Sequence, residues 1–394
     1  MRVGVFFSLE KSSGGAYHQA LKSINILQKI EEINFSFYNI SSNKNDFSHE
    51  KINKYSINFI DKIFFLFYSS DFIKTFLKKF SISNKFEKFI KKENIDIIFF
   101  IGSSRLSIFC NKIDYITYIY EFYHIFRPDL PEYKGWTDFD FRESLIKLDV
   151  RKSVALIVDT KKKSKDLVKY YNCINDKINV VPLSSAIIDE KQESNNTLSK
   201  NLKKFLDTKK EFYFYPAQYW SHKNHIYILE VIKFIKEKYN RNVIFVFTGS
   251  KKQNYKKIKE TIEKLNLKEQ VILLEYLNDY EIKQLYKNCN ALVMPSLIGY
   301  SSLPLYEAFF FKKPVFYTKN LLEENLKALV TEIDIDDVNS LANEIINFQK
   351  NKTNLKIKAE KAKIFFEENL TDEKISESYK AVFKKLVNLK KIYS

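Results

Sequence analysis

Cysteine is scarce in this sequence, and its scarcity excludes two kinds of scaffold. The 394 residues contain 3 cysteines, Cys110, Cys173 and Cys289, which lie far apart and form no Cys-x-x-Cys pair. An odd number at such spacing indicates neither a disulfide framework nor a zinc knuckle. Because disulfides persist in oxidising compartments, this usage fits a reducing compartment, and we expect a cytoplasmic protein.

Long apolar runs are missing as well. No stretch approaches the roughly 20 uninterrupted apolar residues that a membrane-spanning helix needs. The apolar start, Val3 to Phe7, is shorter than the core of a signal peptide and is soon followed by Glu10 and Lys11. We therefore interpret it as a first buried strand, and we expect a protein that is soluble or bound peripherally at the inner face of the cell membrane.

Positive charge is in excess. The sequence contains 65 lysine and arginine residues and 48 aspartate and glutamate residues, which gives a net charge of +17. Such a field attracts phosphates, anionic lipids and nucleic acid alike. A nucleic-acid-binding protein is one hypothesis, and it predicts a basic and aromatic surface or a helix that reads bases. The lysines are instead spread along the whole chain, so we expect no nucleic acid as a partner.

The alternation of short apolar runs with helical patterns predicts βα units and parallel sheets that carry helices on both faces. Since 394 residues exceed the usual size of one hydrophobic core, we expect more than one domain. The predicted fold class is therefore α/β, with two Rossmann-like, doubly wound domains. The predicted strands are Val3–Phe7, Phe35–Tyr38, Ile95–Ile101, Tyr115–Tyr120, Ala155–Val158, Ile178–Val181, Phe212–Tyr215, Val243–Thr248, Val271–Leu273, Ala291–Met294 and Val315–Tyr317.

One polar segment without an apolar period, residues 189–196, is the best candidate for a linker. It divides the chain into an N-terminal domain of residues 1–195 and a C-terminal domain of residues 196–370. The tail, residues 371–394, carries apolar side chains at helical spacing. This spacing predicts a closing amphipathic helix that packs back toward the N-terminal domain.

Residues 294–308 hold the clearest chemical signal. They leave a buried strand, cross a loop of small residues and enter a helix with Pro304 in its first turn, where a missing N–H is tolerated. Because the N–H groups at a helix start bind phosphate, the backbone at Ser302 and Leu303 is expected to hold a diphosphate. One turn further, Glu307 is placed to accept hydrogen bonds from both hydroxyls of a ribose.

This segment resembles the donor-domain pattern of glycosyltransferase family 4, within the group 1 transferases, which runs Pro-Ser-x-x-Glu-Gly-x-x-Leu-Pro-x-x-Glu-Ala. The matching residues are Pro295, Ser296, Leu303, Pro304, Glu307 and Ala308. The chain departs from the pattern at Gly299, where the family has a Glu associated with the donor sugar. The resemblance implies a GT-B fold, in which two Rossmann-like domains face a central cleft. It also implies a retaining, metal-independent transfer of a sugar from a nucleoside diphosphate sugar to a hydroxyl.

A second match follows the first strand of the C-terminal half. The family has Lys-Asn or Lys-Gly at the start of a helix there, and Lys223-Asn224 fits this pattern. Lys223 is expected to meet the donor phosphates as a mobile point charge. Many members carry an arginine five residues earlier, where this chain has Gln218. The turn that ends at Leu277 lies beside the nucleotide base in the family.

The first half carries weaker matches. Gly14 and Gly15 follow the first strand, and adjacent glycines let the backbone approach a ligand closely. In the resembled family a glycine-rich turn at this place faces the donor diphosphate across the cleft. The segment from Glu121 to His124 is similar to the family's acidic-x-x-His segment, which makes His124 the candidate for contacting the donor sugar or positioning the acceptor. A half-buried histidine bonded to backbone is the alternative.

The sequence predicts no metal site. It predicts no cofactor either, because the nucleotide sugar is a substrate. The 5 histidines show no metal-ligand spacing. Residues 138–140 and 334–336 contain the Asp-x-Asp of metal-dependent transferases, but neither follows a convincing nucleotide-binding strand. The family resemblance makes His124, Lys223 and Glu307 the catalytic candidates.

Two further hypotheses stay open. The absence of the first Glu, at Gly299, and of an arginine at Gln218 is compatible with a catalytically silent GT-B scaffold. Residues 72–80 place Ile73, Phe76, Leu77 and Phe80 on one face of a helix with lysines beside them. This pattern is typical of a helix buried on the N-terminal domain or of one that binds an anionic membrane surface.

The family resemblance favours a glycan or lipid-linked acceptor in cell-surface polysaccharide or lipopolysaccharide biosynthesis.

Overall fold

The computed structural model describes residues 1–8, 14–40, 52–57, 84–134, 136–188, 197–275 and 277–393. The stripe at residues 72–80 and the predicted linker, including the boundary at residue 195, lie outside the described residues. The chain forms two compact units. The first comprises Met1–Ile125, Gly135–Pro182 and Asp372–Ser394, and the second comprises Phe126–Lys134 and Leu183–Thr371.

The first unit is built on a sheet of seven parallel strands. The strands are β1 (Arg2–Phe7), β2 (Asn34–Ile40), β3 (Ile52–Tyr55), β4 (Ile97–Phe100), β5 (Tyr115–Tyr118), β6 (Ala155–Val158) and β7 (Ile178–Val180). Their order across the sheet is β3-β2-β1-β4-β5-β6-β7. The winding therefore reverses between β1 and β4.

The second unit is built on a sheet of six parallel strands. The strands are β8 (Tyr213–Pro216), β9 (Phe245–Thr248), β10 (Val271–Leu274), β11 (Ala291–Met294), β12 (Val315–Thr318) and β13 (Thr331–Ile333). Their order is β10-β9-β8-β11-β12-β13, so the winding reverses between β8 and β11.

Helices connect the strands. They are α1 (Gly15–Leu27), α2 (Lys85–Lys92), α3 (Trp136–Lys152), α4 (Lys161–Tyr171), α5 (Lys200–Asp207), α6 (His225–Tyr239), α7 (Tyr255–Lys264), α8 (Asp279–Asn288), α9 (Leu303–Phe310), α10 (Glu324–Lys327), α11 (Val338–Lys350), α12 (Thr353–Asn369) and α13 (Asp372–Tyr393). Among the described residues, none of the helices is both long enough and apolar enough to cross a membrane.

The predicted fold class is confirmed, because both units contain a doubly wound parallel sheet. Every predicted strand is present with ends within two residues of the prediction. The two strands that the sequence analysis missed, β3 and β13, lie at sheet edges. Edge strands are short and carry polar residues, such as Asn53 and Glu332, so they lack the continuous apolar run of a central parallel strand.

Aromatic side chains fill the core of the first unit. The Phe6 ring stacks on Tyr38 with centroids 4.8 Å apart and meets Phe86 edge-on at 5.2 Å. The final helix, α13, belongs to this unit as well. Its Tyr379 hydroxyl lies 3.0 Å from the Ser23 hydroxyl of α1, and the two groups share a hydrogen bond. The tail thus adds a helix to the first core.

The same core contains a buried carboxyl group, Asp149 of α3, which is 0% exposed. Burial raises its pKa to about 7, against hydrogen bonds from hydroxyls that include Tyr115, whose Oη lies 3.2 Å from Oδ1. Between about pH 4 and pH 7 the folded state therefore keeps a proton on Asp149 that the unfolded chain, with an ordinary aspartate pKa, has released. The stability that follows from this proton is present below about pH 4 and is lost as the pH rises toward 7.

We predict that Asp149→Asn flattens this pH dependence, because the amide stays neutral at every pH. The wild type should lose more stability than the variant between pH 5 and pH 8, by roughly 1.4 kcal/mol for each unit of pKa shift titrated in that window. Urea unfolding at both pH values measures this, with Asp176→Asn at an exposed position of the same unit as control. Equal losses in wild type and Asp149→Asn would contradict the prediction.

Candidate functional site

The reversal of winding between β8 and β11 locates the candidate site in the second unit. Open parallel sheets bind ligands beyond the carboxyl ends of the two strands at which the winding reverses, because the loops there diverge and leave a crevice. β8 and β11 are direct neighbours in the sheet. The loops that follow them, residues 217–224 and 295–302, contain Gln218, Lys223 and Ser302, so the sheet brings these predicted residues to one edge.

Hydrogen bonds join the two loops to each other. The Leu297 backbone N–H donates to the His222 carbonyl at 2.8 Å. The Tyr215 hydroxyl, at the end of β8, donates to the Lys223 carbonyl at 2.8 Å and lies 3.1 Å from the Ser296 hydroxyl. Because Tyr215 is fully buried, these contacts fix both loops against the sheet.

Lys223 ends a short 3-10 turn, Ser221–Lys223, and Asn224 in the left-handed conformation then leads into α6. Its side chain is half-buried, and burial lowers the pKa of its ammonium to about 8, with the negative charge of Glu132 acting in the opposite direction. Within the described part of the chain, no hydrogen bond or ion pair engages this ammonium. A desolvated cation of this kind suits an anionic ligand.

Gln218 is tied to its neighbour Trp220. The Trp220 indole N–H donates to the Gln218 side-chain oxygen at 2.9 Å, and the Lys252 ammonium lies 5.2 Å from the centroid of the Trp220 ring. Lys252 therefore brings a second cation to the loop that lacks the family's arginine. The sequence analysis gave no reason to choose Lys252 among the many lysines.

Ser302 caps α9, and Leu303 is the first residue of this helix. The Ser302 hydroxyl accepts a hydrogen bond from the Leu305 backbone N–H at 3.2 Å, and Pro304 has no N–H to offer. The cap thus uses one of the N–H groups at the helix start. The Leu303 N–H precedes the first intrahelical hydrogen bonds, so it stays a candidate for a phosphate ligand.

Gly299 has a backbone conformation that other residues rarely adopt, with φ of +114°. The space around it is open, since an added Cβ would approach only the Ser301 carbonyl, at 3.7 Å. The Tyr317 hydroxyl donates to the Gly299 carbonyl at 3.1 Å and holds the loop in this conformation. The departure from the family pattern therefore involves the backbone as well as the missing carboxylate.

Glu307 lies inside the second unit and is 3% exposed. One carboxylate oxygen accepts a hydrogen bond from the Ser185 hydroxyl, and the other accepts one from the Tyr286 hydroxyl at 2.7 Å. Glu307 is thus not an exposed carboxylate on a helix surface. Both oxygens that the sequence analysis assigned to ribose hydroxyls already accept hydrogen bonds from protein hydroxyls.

Leu277 lies directly before Asn278, the N-cap residue of α8, and is partly buried. Asn278 caps this helix through its side chain, which accepts from the Glu281 backbone N–H at 2.9 Å, while the Glu281 carboxylate accepts from the Asn278 N–H at 3.2 Å. The predicted turn beside the base is therefore a capping box with a fixed geometry.

The remaining predicted residues lie in the first unit. Gly14 precedes α1 with φ of +59° and ψ of −117°, and Gly15 is the first residue of the helix. They follow β1, one of the two strands at which the first sheet reverses its winding. His124 is 1% exposed, and its Nε2 lies 3.0 Å from the Glu143 carboxylate. The histidine is more deeply buried than predicted, and its ring pairs with a carboxylate.

One residue of the loop's surroundings escaped the sequence analysis altogether. Glu132 belongs to the short segment Phe126–Lys134, which comes from the first half of the sequence but is part of the second unit. Its carboxylate accepts hydrogen bonds from the His222 backbone and ring. No motif surrounds Glu132, and 90 positions separate it from His222, so no sequence pattern connects the two.

The described residues contain no candidate metal site. Among them, no group of three or more His, Cys, Asp or Glu side chains is placed to hold a metal ion.

Residues 199–365 match the family model of the glycosyl transferases group 1. These residues, which make up most of the second unit, form a domain of the group 1 glycosyl transferase type. The resemblance that the motifs carried is thereby confirmed for this transferase domain, while no curated protein matches the chain by sequence.

Solved structures resemble the whole chain at low identity. Sucrose-phosphate synthase from Thermosynechococcus elongatus is 12% identical with a TM-score of 0.72, and the match covers 99% of this chain and 100% of that one. HepE of Anabaena, solved with UDP-glucose, is 12% identical with a TM-score of 0.70 and coverages of 97% and 99%. WaaG, a glycosyltransferase of lipopolysaccharide biosynthesis, is 13% identical with a TM-score of 0.67 and coverages of 97% and 98%. These similarities confirm the predicted GT-B fold.

The conformation of Gly299 generates a stability prediction. Gly299→Ala should destabilise the transferase domain by about 1–3 kcal/mol, because a Cβ is strained at this φ even where space is open. Denaturant unfolding measures the loss, and Ser301→Ala in the same loop, where φ is not positive, should cost less. A fully neutral Gly299→Ala substitution would show that the loop relaxes to an ordinary conformation.

Proposed function

We propose that this protein transfers a sugar from a nucleoside diphosphate sugar to a hydroxyl of a glycan or lipid-linked acceptor. The observation that carries the proposal is the half-buried ammonium of Lys223, which no other described residue engages in a hydrogen bond or ion pair. It lies on a loop that is hydrogen-bonded to the loop before the start of α9. A cation and helix N–H groups at one sheet edge are suited to a diphosphate. The match to the group 1 transferases supports the same assignment.

In the proposed reaction, Lys223 and the backbone at Leu303 stabilise the charge that develops on the leaving diphosphate. The bond from the sugar's anomeric carbon to the phosphate oxygen breaks, and a bond to the acceptor oxygen forms on the same face. The acceptor's proton passes to the diphosphate, so no protein nucleophile is needed. Retention and metal independence are both parts of this proposal.

The other predicted residues have less direct support. Glu307 can take the ribose role only if the ribose hydroxyls join or replace those of Ser185 and Tyr286 at its carboxylate. Gly14, Gly15 and His124 keep the roles that the family resemblance implies, and these roles stay predictions.

Two neighbours suggest finer parts of the proposal. HepE has been solved with UDP-glucose and with UDP, which favours a uridine diphosphate sugar as the first donor to test. WaaG takes part in lipopolysaccharide biosynthesis, which supports an acceptor from cell-surface glycan assembly. We extend the proposal to a cytoplasmic enzyme, peripheral at the inner membrane face and without a cofactor.

A catalytically silent scaffold is the second candidate function. It is favoured by Gly299, which stands in place of a carboxylate with φ of +114°, and by the occupied oxygens of Glu307. Such a protein keeps the fold and binds ligands without turning over a donor.

A panel of nucleotide sugars separates these two functions. We expect at least one donor to be hydrolysed or transferred, with the rate unchanged by EDTA, because the described residues hold no metal cluster. Mass spectrometry of the released nucleoside diphosphate measures turnover. Activity that EDTA abolishes and manganese restores would contradict the metal-independent mechanism, and binding without turnover of any donor would favour the scaffold.

Lys223→Met tests the residue on which the proposal depends. The variant should bind uridine diphosphate at least 10-fold more weakly at pH 7, since a charge-assisted hydrogen bond contributes about 1.5–3 kcal/mol. The affinity of the wild type should also fall above about pH 8, as the ammonium loses its proton. Calorimetric titration measures both effects, with Lys256→Met at a highly exposed position as the matched control. Equal affinities of the two variants would contradict the role of Lys223.

A further inference from the structure

The buried environment of Glu132 is unusual for a carboxylate. It lies in a short 3-10 turn, Pro131–Tyr133, and its side chain is 7% exposed. A buried carboxylate costs free energy unless its oxygens are hydrogen-bonded or paired with a cation. The structure therefore has to compensate this charge.

Three donors supply the compensation. The His222 backbone N–H donates to one Glu132 oxygen at 2.9 Å, and the His222 ring Nδ1 contacts the same oxygen. The Gln253 side-chain N–H donates to the other oxygen at 2.9 Å. Burial raises the pKa of Glu132, but hydrogen bonds from the His222 ring and from the backbone of His222 and Glu132 act together against burial, and the pKa lies below the ordinary value. The carboxylate is thus charged and fixed.

The backbone of His222 is held by hydrogen bonds at both its N–H and its carbonyl group. Its N–H is bound by Glu132, and its carbonyl accepts the hydrogen bond from the Leu297 N–H at 2.8 Å. Lys223 is the next residue, so the position of its Cα follows from these two contacts. Glu132 is also the negative charge that opposes the effect of burial on the Lys223 ammonium.

We propose that Glu132 is a positioning residue for Lys223. Glu132 anchors the backbone that carries the ammonium and supplies a compensating negative charge. The proposal rests on the proposed function, in which Lys223 binds the donor diphosphate. Both Glu132 oxygens are engaged within the protein, so the residue acts through the loop and not on the substrate.

The ionisable groups that face Lys223 act in opposite directions. Glu132 favours the protonated ammonium. The His222 ring contacts the Glu132 carboxylate and lowers its pKa. His225 lies against the Tyr215 ring and is neutral at pH 7, because burial and then the Lys223 charge lower its pKa to about 3. Removing the Glu132 charge should therefore lower the pKa of Lys223.

A test of this effect needs no donor. The rate at which an amine reagent labels Lys223, followed by mass spectrometry as a function of pH, reports the titration of that ammonium. The wild-type midpoint should lie near pH 8, and Glu132→Gln should move it to lower pH. Gln253→Ala breaks the same hydrogen-bond cluster but keeps the charge, so its midpoint should match the wild type.

A merely structural role makes a different forecast. If Glu132 only supports the loop, Glu132→Gln and Gln253→Ala should change the midpoint equally or not at all, and either result overturns the proposal. If Glu132→Gln does not fold, Gln253→Lys places a cation beside the carboxylate while it leaves both contacts to His222. This variant should also lower the midpoint, and an unchanged midpoint would again overturn the proposal.

Titration with uridine diphosphate connects the result to function. Glu132→Gln should bind the nucleotide more weakly than Gln253→Ala at pH 8, where the difference in protonation of Lys223 is largest. Loss of binding in Lys223→Met, together with unchanged binding and labelling in Glu132→Gln, would refute only the role of Glu132. Unchanged binding in Lys223→Met would refute the role of Lys223 in the proposed function, and the labelling midpoints would still decide the electrostatic role of Glu132.

Discussion

A parallel sheet that reverses its winding leaves a crevice at the reversal, and the candidate site depends on this constraint. In the second unit the reversal lies between β8 and β11, whose following loops leave the sheet side by side. Tyr215 fixes both loops with one buried hydroxyl group. The ammonium of Lys223 and the start of α9 therefore gain their places from the topology of the sheet, although 80 residues separate Lys223 from Leu303 in the sequence.

Two carboxylates, Glu307 and Glu132, are buried in the second unit. Glu307 is held by hydroxyls of Ser185 and Tyr286, whereas Glu132 is held by His222 and Gln253. Each compensates its desolvation by hydrogen bonds to segments that are distant in sequence. Their consequences differ, because Glu307 lies within the helix that begins at the site, and Glu132 sets the backbone and the electrostatics of the loop on the other side.

The sequence predicts most of the fold because central parallel strands are continuous apolar runs, which are visible without any partner. It misses the edge strands β3 and β13, because polar residues such as Asn53 and Glu332 interrupt their apolar runs. The positions of Lys223 and Glu307 follow from motifs, but their surroundings do not. The burial of Glu307 depends on Ser185 and Tyr286, and the electrostatics of Lys223 depend on Glu132, none of which carries a local pattern. Long-range polar contacts of this kind are set only by the folded chain.

The central claim, that the loops after β8 and β11 form a nucleoside diphosphate site, can be tested by hydrogen exchange. Backbone amides of the wild-type protein are compared with and without saturating uridine diphosphate, with guanosine and adenosine diphosphate as parallel ligands. The account predicts that one of these ligands slows exchange in residues 217–224 and 296–303 more than elsewhere in the second unit. A ligand that binds but protects other segments, and leaves both loops unchanged, would contradict it.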